Sequence, residues 1–283
     1  MLKLIECPRD AMQGWHRMIS TDEKVAYLNA LLKVGFDTLD CGSFVSPKAI
    51  PQMADTKEVL PRLDLSGSKS KLLAIVANVR GAEEAIVFDE IRYLGFPFSV
   101  SETFQLRNTN KTINESLEQV HTMQELCIKS GKELVVYISM GFGNPYGDPY
   151  SPEIVLKWVD ELVKMEIGII SLADTVGVAD PENISSLFQH LIPAYPATEI
   201  GAHFHAAPYN WEEKVRAAWD HGCRRFDSAI KGIGGCPMAK DELVGNLATE
   251  NLIAFCEAQQ TPVTLDRKAL IAAQALADLV FKD

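Results

Sequence analysis

Short apolar runs alternate along this chain with longer segments whose apolar positions recur every three or four residues, the two periodicities of buried strands and amphipathic helices. Strands are predicted at 2–6, 36–40, 72–77, 90–98, 134–139, 167–173, 199–205 and 224–230. Helices are predicted between them at 21–33, 55–60, 81–88, 113–130, 151–166, 181–191 and 210–221, with an eighth at 244–258. Punctuation supports several of these limits. Ser20 precedes the first helix and Gly35 follows it, Gly131 ends the fourth, and Ser151-Pro152 opens the fifth with a cap and a proline at the first helical position. Segments 41–51, 140–150 and the polar stretch after residue 98 read as loops.

Eight alternations with right-handed crossovers predict an α/β fold, a (β/α)8 TIM barrel, with one or two additional C-terminal helices from Thr261 onward. The expected division is a catalytic barrel at 1–260 and a helical extension at 261–283 packed on it. An open doubly wound sheet is the competing fold. It calls for a glycine-rich phosphate turn after the first strand, and Pro8-Arg9-Asp10 is not one.

Composition narrows the class. The 283 residues are 47% hydrophobic and 23% charged, enough apolar material for a large core. The net charge of -11 speaks against a nucleic-acid partner or an anionic membrane surface, both of which need clustered cations. No apolar run reaches the roughly 18 residues of a membrane span, so a cytoplasmic location is the expectation. The six cysteines include no C-x-x-C pair and no zinc-module spacing. Cys236 stands apart, because Gly232-Ile233-Gly234-Gly235-Cys236-Pro237 is built for backbone freedom, which makes it the candidate reactive thiol.

In a barrel of this kind the reactive groups sit at the C-terminal ends of the strands. Polar residues are dense there: Arg9 and Asp10, Asp40, Asn78, Asp174 and Thr175, His203 and His205, Asp227 and Ser228. His203-Phe204-His205 is the centre of this set. Period-2 geometry turns both imidazoles to one face as the seventh strand ends, and two neutral imidazoles with a carboxylate suit a divalent cation. Asp10 is the first carboxylate candidate, and Arg9 beside it is placed to stabilise an oxyanion.

At this level of detail the chain resembles the hydroxymethylglutaryl-CoA lyase family of metal-dependent TIM-barrel lyases. The resemblance rests on Ile5-Glu6-Cys7-Pro8-Arg9-Asp10, Ser43-Phe44-Val45-Ser46-Pro47-Lys48, Ser171 to Gly177, His203-Phe204-His205, Gly232 to Pro237 and Gly245 to Glu250, in order over nearly the whole chain. It implies that Asp10, His203, His205 and Asn246 bind Mg²⁺ or Mn²⁺, that Arg9 stabilises an enolate oxygen, that Cys236 takes part in proton transfer, and that Asp174 and Asp40 support the site. It further implies a small-molecule acyl-CoA or hydroxy-acid substrate and cleavage of 3-hydroxy-3-methylglutaryl-CoA to acetyl-CoA and acetoacetate. Homodimerisation stays open. Asp40 in place of the usual Glu, and Ala206 in place of an acid after the second histidine, depart from the pattern and leave two alternatives: a lyase or Claisen-type synthase for another hydroxyacyl-CoA or hydroxy acid, and a non-catalytic metal-binding barrel.

Overall fold

Side chains on both faces of the short strands are buried, so each strand must be covered on two sides, and a ring of helices around a closed sheet does this. The computed structural model describes residues 1–235 and 244–282. β1 (Lys3–Glu6) leads into α1 (Pro8–Gln13) and α2 (Thr21–Leu32). β2 (Thr38–Ser43) is followed by α3 (Thr56–Val59), β3 (Lys71–Ile75) by α4 (Val79–Ala85), and β4 (Ile91–Ser99) by α5 (Glu102–Thr109) and α6 (Ile113–Lys129). β5 (Glu133–Ser139) with α7 (Pro152–Lys164), β6 (Ile169–Asp174) with α8 (Pro181–Ala194), and β7 (Glu199–Phe204) with α9 (Trp211–Asp220) continue the alternation. β8 (Arg225–Ser228) and α10 (Thr249–Ala258) complete it, before α11 (Arg267–Val280).

The strands form a closed barrel in sequence order, every pair parallel, and β1 meets β8 with Lys3 opposite Arg225 and Glu6 opposite Ser228. The predicted barrel is therefore the observed one. The main core lies between the outer faces of the strands and the helices, with Phe36, Phe96, Phe188 and Phe226 fully buried. A smaller apolar cluster of Leu73, Ile75, Tyr93, Val135, Tyr137 and Ile169 fills part of the barrel interior. Truncating any one of these large side chains costs about 2–5 kcal/mol. No helix among the described residues is long and apolar enough to cross a membrane.

Several local expectations are corrected. The polar stretch after residue 98 holds α5, capped by Ser101, whose hydroxyl accepts from the Phe104 N–H. β2 continues past Asp40 to Ser43, with a register shift between Asp40 and Gly42 against β3. The last helix of the barrel begins at Thr249 rather than 244, and Ser151 stands at the N-cap of α7 without a side-chain capping bond. One helix, α11, follows residue 261; it lies on α2, and Phe281 just beyond it meets the Trp15 and Tyr27 rings edge-on.

Candidate active site

The C-terminal end of β1 breaks at Pro8 into α1, so Arg9, Asp10 and Gln13 lie within one helical turn over the mouth of the barrel. Arg9 is buried and held by three side chains. Its Nε donates to both Asp40 oxygens (3.2 and 3.0 Å), Nη2 to Asp40 Oδ2 (2.5 Å), and Nη1 to Asp10 Oδ1 (3.0 Å) and Gln13 Oε1 (2.8 Å). The register shift in β2 falls beside Asp40, at a site where such irregularities commonly re-aim a side chain. Gln13 Nε2 also donates to Asp10 Oδ1 at 3.1 Å. Burial raises the Asp40 carboxyl to about 6 in spite of Arg9, and Asp10 and Asp227 add to the rise. Burial works in the same direction on Asp10, but there Arg9, the two histidines and Asn246 win and hold it below the ordinary carboxylate range.

β7 delivers the two histidines, with ring centroids 5.3 Å apart. His203 Nδ1 meets Asp227 Oδ2 at 3.1 Å, and His205 Nδ1 meets the Thr175 carbonyl at 2.9 Å. A carbonyl and a carboxylate only accept, so both Nδ1 atoms carry the proton and both Nε2 atoms keep a lone pair. His205 Nε2 is buried and has no hydrogen-bond partner among the described residues. Burial and the neighbouring His203 lower His205 to about 4, keeping it neutral. Burial would lower His203 as well, but Asp227 and Asp10 raise it above the usual imidazole value.

One ligand atom each of Asp10, His203 and His205 lies within 4.8 Å of the others. A buried carboxylate and two imidazoles, one of them with an orphaned lone pair, make a donor set that fits a divalent cation. Asn246 joins them. Its Nδ2 donates to Asp10 Oδ2 at 2.7 Å and to the Ile233 carbonyl at 2.9 Å, and its backbone bridges to His205. Since α10 starts three residues later behind Ala248, Asn246 is not a helix cap. Cys7, His203 and Asp227 form a second close trio. Burial and the surrounding carboxylates push the Cys7 thiol well up, so it stays protonated.

Asp174 is placed differently from the other sequence candidates. It does not line the pocket but accepts at 2.7 Å from Lys214 Nζ, which is itself wholly buried and donates to the Gly177 and His205 carbonyls at 2.9 and 3.0 Å. The pair fastens the ends of β6 and β7 together beneath the histidines. Asn78 caps α4 and likewise takes no part in the pocket. Cys236 lies outside the described residues. Sequence reading missed Lys214, Gln13 and the Asp227–His203 bond. Lys214 could have been found: it is in helical register with the buried Ala217 and Ala218 rather than with the exposed face.

These groups open into a cavity of about 380 Å³. Its side lined by Arg9, Asp10, Gln13, Asp40, His203 and His205 is polar and holds the donor set. The opposite wall, from β3, β4, α5 and the segment after β2, carries Val45, Ile50, Ala77, Pro97 and Phe104, with Asn108 among them.

The HMGL-like family profile matches residues 3–277. The hydroxymethylglutaryl-CoA lyase YngG of Bacillus subtilis is 30% identical over 266 residues, which cover 94% of this chain and 88% of the relative. The (R)-citramalyl-CoA lyase of Chloroflexus aurantiacus is 31% identical over 275 residues, covering 94% of this chain and 86% of the relative. A solved HMG-CoA lyase from Acinetobacter baumannii, in complex with coenzyme A and 3-methylmalate, superposes with a TM-score of 0.91 at 31% identity, covering 99% of this chain and 91% of that one.

Proposed function

The chain belongs to the HMGL-like family, and on that premise we propose that it is a divalent-metal-dependent carbon–carbon lyase for acyl-CoA substrates of the 3-hydroxy-3-methylglutaryl-CoA type. The observation that carries this reading is the convergence of Asp10, His203 and His205 within 4.8 Å of one another, with His205 Nε2 unpartnered and Arg9 alongside. Asp10, His203, His205 and Asn246 would hold Mg²⁺ or Mn²⁺. A cation there supplies Lewis-acid chemistry, which makes a substrate hydroxyl more acidic.

The chain's own groups do the rest. The reaction removes the hydroxyl proton, turns that carbon into a ketone, breaks the bond to the neighbouring carbon, and leaves the electron pair as a thioester enolate that must take up a proton. Arg9, locked by Asp40 and Gln13, keeps its cation aimed at the pocket and stabilises the enolate oxygen as charge develops there. Asp40 balances Arg9 and, raised to about 6, exchanges a proton near neutral pH. Cys236 handles the proton that completes acetyl-CoA, and the Asp174–Lys214 pair keeps the His205 backbone in place. Asp227 fixes the His203 ring with its lone pair free.

The test is acetyl-CoA release from 3-hydroxy-3-methylglutaryl-CoA and its close homologues by purified protein with Mg²⁺ or Mn²⁺, repeated after chelation. Cleavage that stops on chelation and returns with metal supports the reading, and absence of cleavage with metal bound refutes it.

A further inference from the structure

β8 carries more charge into the barrel than the chemistry at its upper end uses. Phe226 packs outward against Trp219, so its neighbours Arg225 and Asp227 both face the lumen. Asp227 lies opposite His203 on β7, and Arg225 lies one step below, beside Gly201. That step is a row across four strands, because Gly201 is opposite Ser171 and Ser171 is opposite Tyr137. Arg225 is 1% exposed, and a Cβ on Gly201 would come within 2.8 Å of its Cδ. The glycine leaves the room that the long side chain occupies.

An ion pair at the lower rim accounts for only part of this arginine. Its Nη1 donates to Glu199 Oε1 at 2.8 Å, while Nε and Nη2 are buried without a hydrogen-bond partner among the described residues. Asp227 has the complementary deficit: Oδ2 meets His203, and Oδ1 is buried and equally unpartnered. The Tyr137 and Ser171 hydroxyls of the same row are orphaned too. Cationic donors, an anionic acceptor and two hydroxyls within one step of each other are the partners a buried water takes, about three at a time. Burial opposes the Arg225 charge, but Asp227, ahead of Tyr137 and Glu199, outweighs it and holds the guanidinium above the ordinary arginine range.

We propose, resting on the assignment of His203 as a metal ligand, that Arg225 is a positioning residue for the metal site: its guanidinium engages Asp227 Oδ1 across the lumen, directly or through one water, and so aims the Asp227 carboxylate at His203. Without that cation Asp227 is a buried carboxylate with one oxygen unmatched, and it relieves the mismatch by turning away from the ring. The His203 lone pair then loses its fixed direction. Glu199 on the far side balances the guanidinium, so Arg225 adds little net repulsion to a cation above it.

The experiment is calorimetric titration of Mn²⁺ into wild type, Arg225→Met, Arg225→Lys, Asp227→Asn, the Arg225→Met/Asp227→Asn double variant and His203→Ala. Arg225→Met should weaken Kd about tenfold, and Arg225→Lys should recover most of that loss. The double variant should bind no more weakly than Asp227→Asn alone, because Arg225 acts through that carboxylate. Losses that multiply in the double variant mark a merely structural arginine and overturn the inference, as does a Kd for Arg225→Met within about twofold of wild type. Gly201→Ala keeps the charge but displaces the side chain, and it carries the same comparison if Arg225→Met does not fold: a loss that vanishes in the Asp227→Asn background supports the inference, and one that multiplies overturns it. Mn²⁺ binding by His203→Ala equal to wild type overturns the metal reading as well. Impaired binding by His203→Ala with unaffected binding by Arg225→Met overturns this inference alone.

Discussion

Replacing Asp227 by Asn is the most direct test of how the donor set is built. Asp227 Oδ2 accepts from His203 Nδ1 at 3.1 Å, and the Asp227 side chain is wholly excluded from solvent. The carboxylate therefore does two things: it fixes the tautomer that leaves His203 Nε2 with its lone pair, and its charge makes that lone pair a better donor. An amide of the same shape removes the charge and weakens the orientation. The loss of one charge-assisted hydrogen bond is about 1.5–3 kcal/mol, of the same order as the 10- to 100-fold loss of metal affinity, roughly, that such substitutions behind a ligand produce. Calorimetric titration of Asp227→Asn with Mn²⁺ should thus give a Kd weakened by one to two orders of magnitude, roughly, with an unchanged circular dichroism spectrum. A Kd within about threefold of wild type, less than one kcal/mol, would refute the assignment of His203 as a ligand oriented by Asp227.

Three further outcomes are expected. Lys214→Met leaves Asp174 buried without its cation and should destabilise the protein by about 3–5 kcal/mol; thermal unfolding checks it, and a shift of under a few degrees contradicts the buried pair at 2.7 Å. Glu6 is raised from 4.5 to about 8 by burial, outweighing its bonds from Thr249 and Ile230. Its protonated form stabilises the fold fully below about pH 4.5, and that contribution is lost as pH rises through about 8. Glu6→Gln, which can still accept from Ile230 and donate to Thr249, should flatten the fall in melting temperature over that window, and an identical pH profile in the variant speaks against it. Arg9→Gln should bind Mn²⁺ comparably yet lose about 100-fold or more in kcat; turnover kinetics at saturating metal decide, and unchanged kcat removes Arg9 from the chemistry.

The barrel was legible because both of its repeats are written in side-chain periodicity, and a buried strand such as β6 stands out as an apolar run ending in Asp174. The position of His203 and His205 followed from period-2 geometry alone. What escaped were features set by tertiary contact. α5 reads as polar loop until Phe104 and Gln105 are seen to be buried, and α1 is too short to show a period. Lys214 looks like one more surface lysine in Trp211-Glu212-Glu213-Lys214. Its burial depends on Asp174, which is 40 residues away in sequence. Asp174 was expected near the chemistry because strand-end acids gather there, yet its side chain turns outward to that lysine.

The bonds that close the ring between β1 and β8 join residues remote along the chain: Asp10 to Asn246 across 236 positions, Glu6 to Thr249 across 243, and Glu6 to Ile230 across 224. Bringing such distant points together costs roughly 5 kcal/mol of chain entropy before any bond is formed. Contacts of this span are slow to form and come after the local βα units have collapsed. An arc of seven strands would hold Asp10 at one end and the histidines at the other, facing open solvent. The ligand cluster thus depends on β1 meeting β8, which brings Asp10 from one end of the chain against His203, His205 and Asn246 from the other.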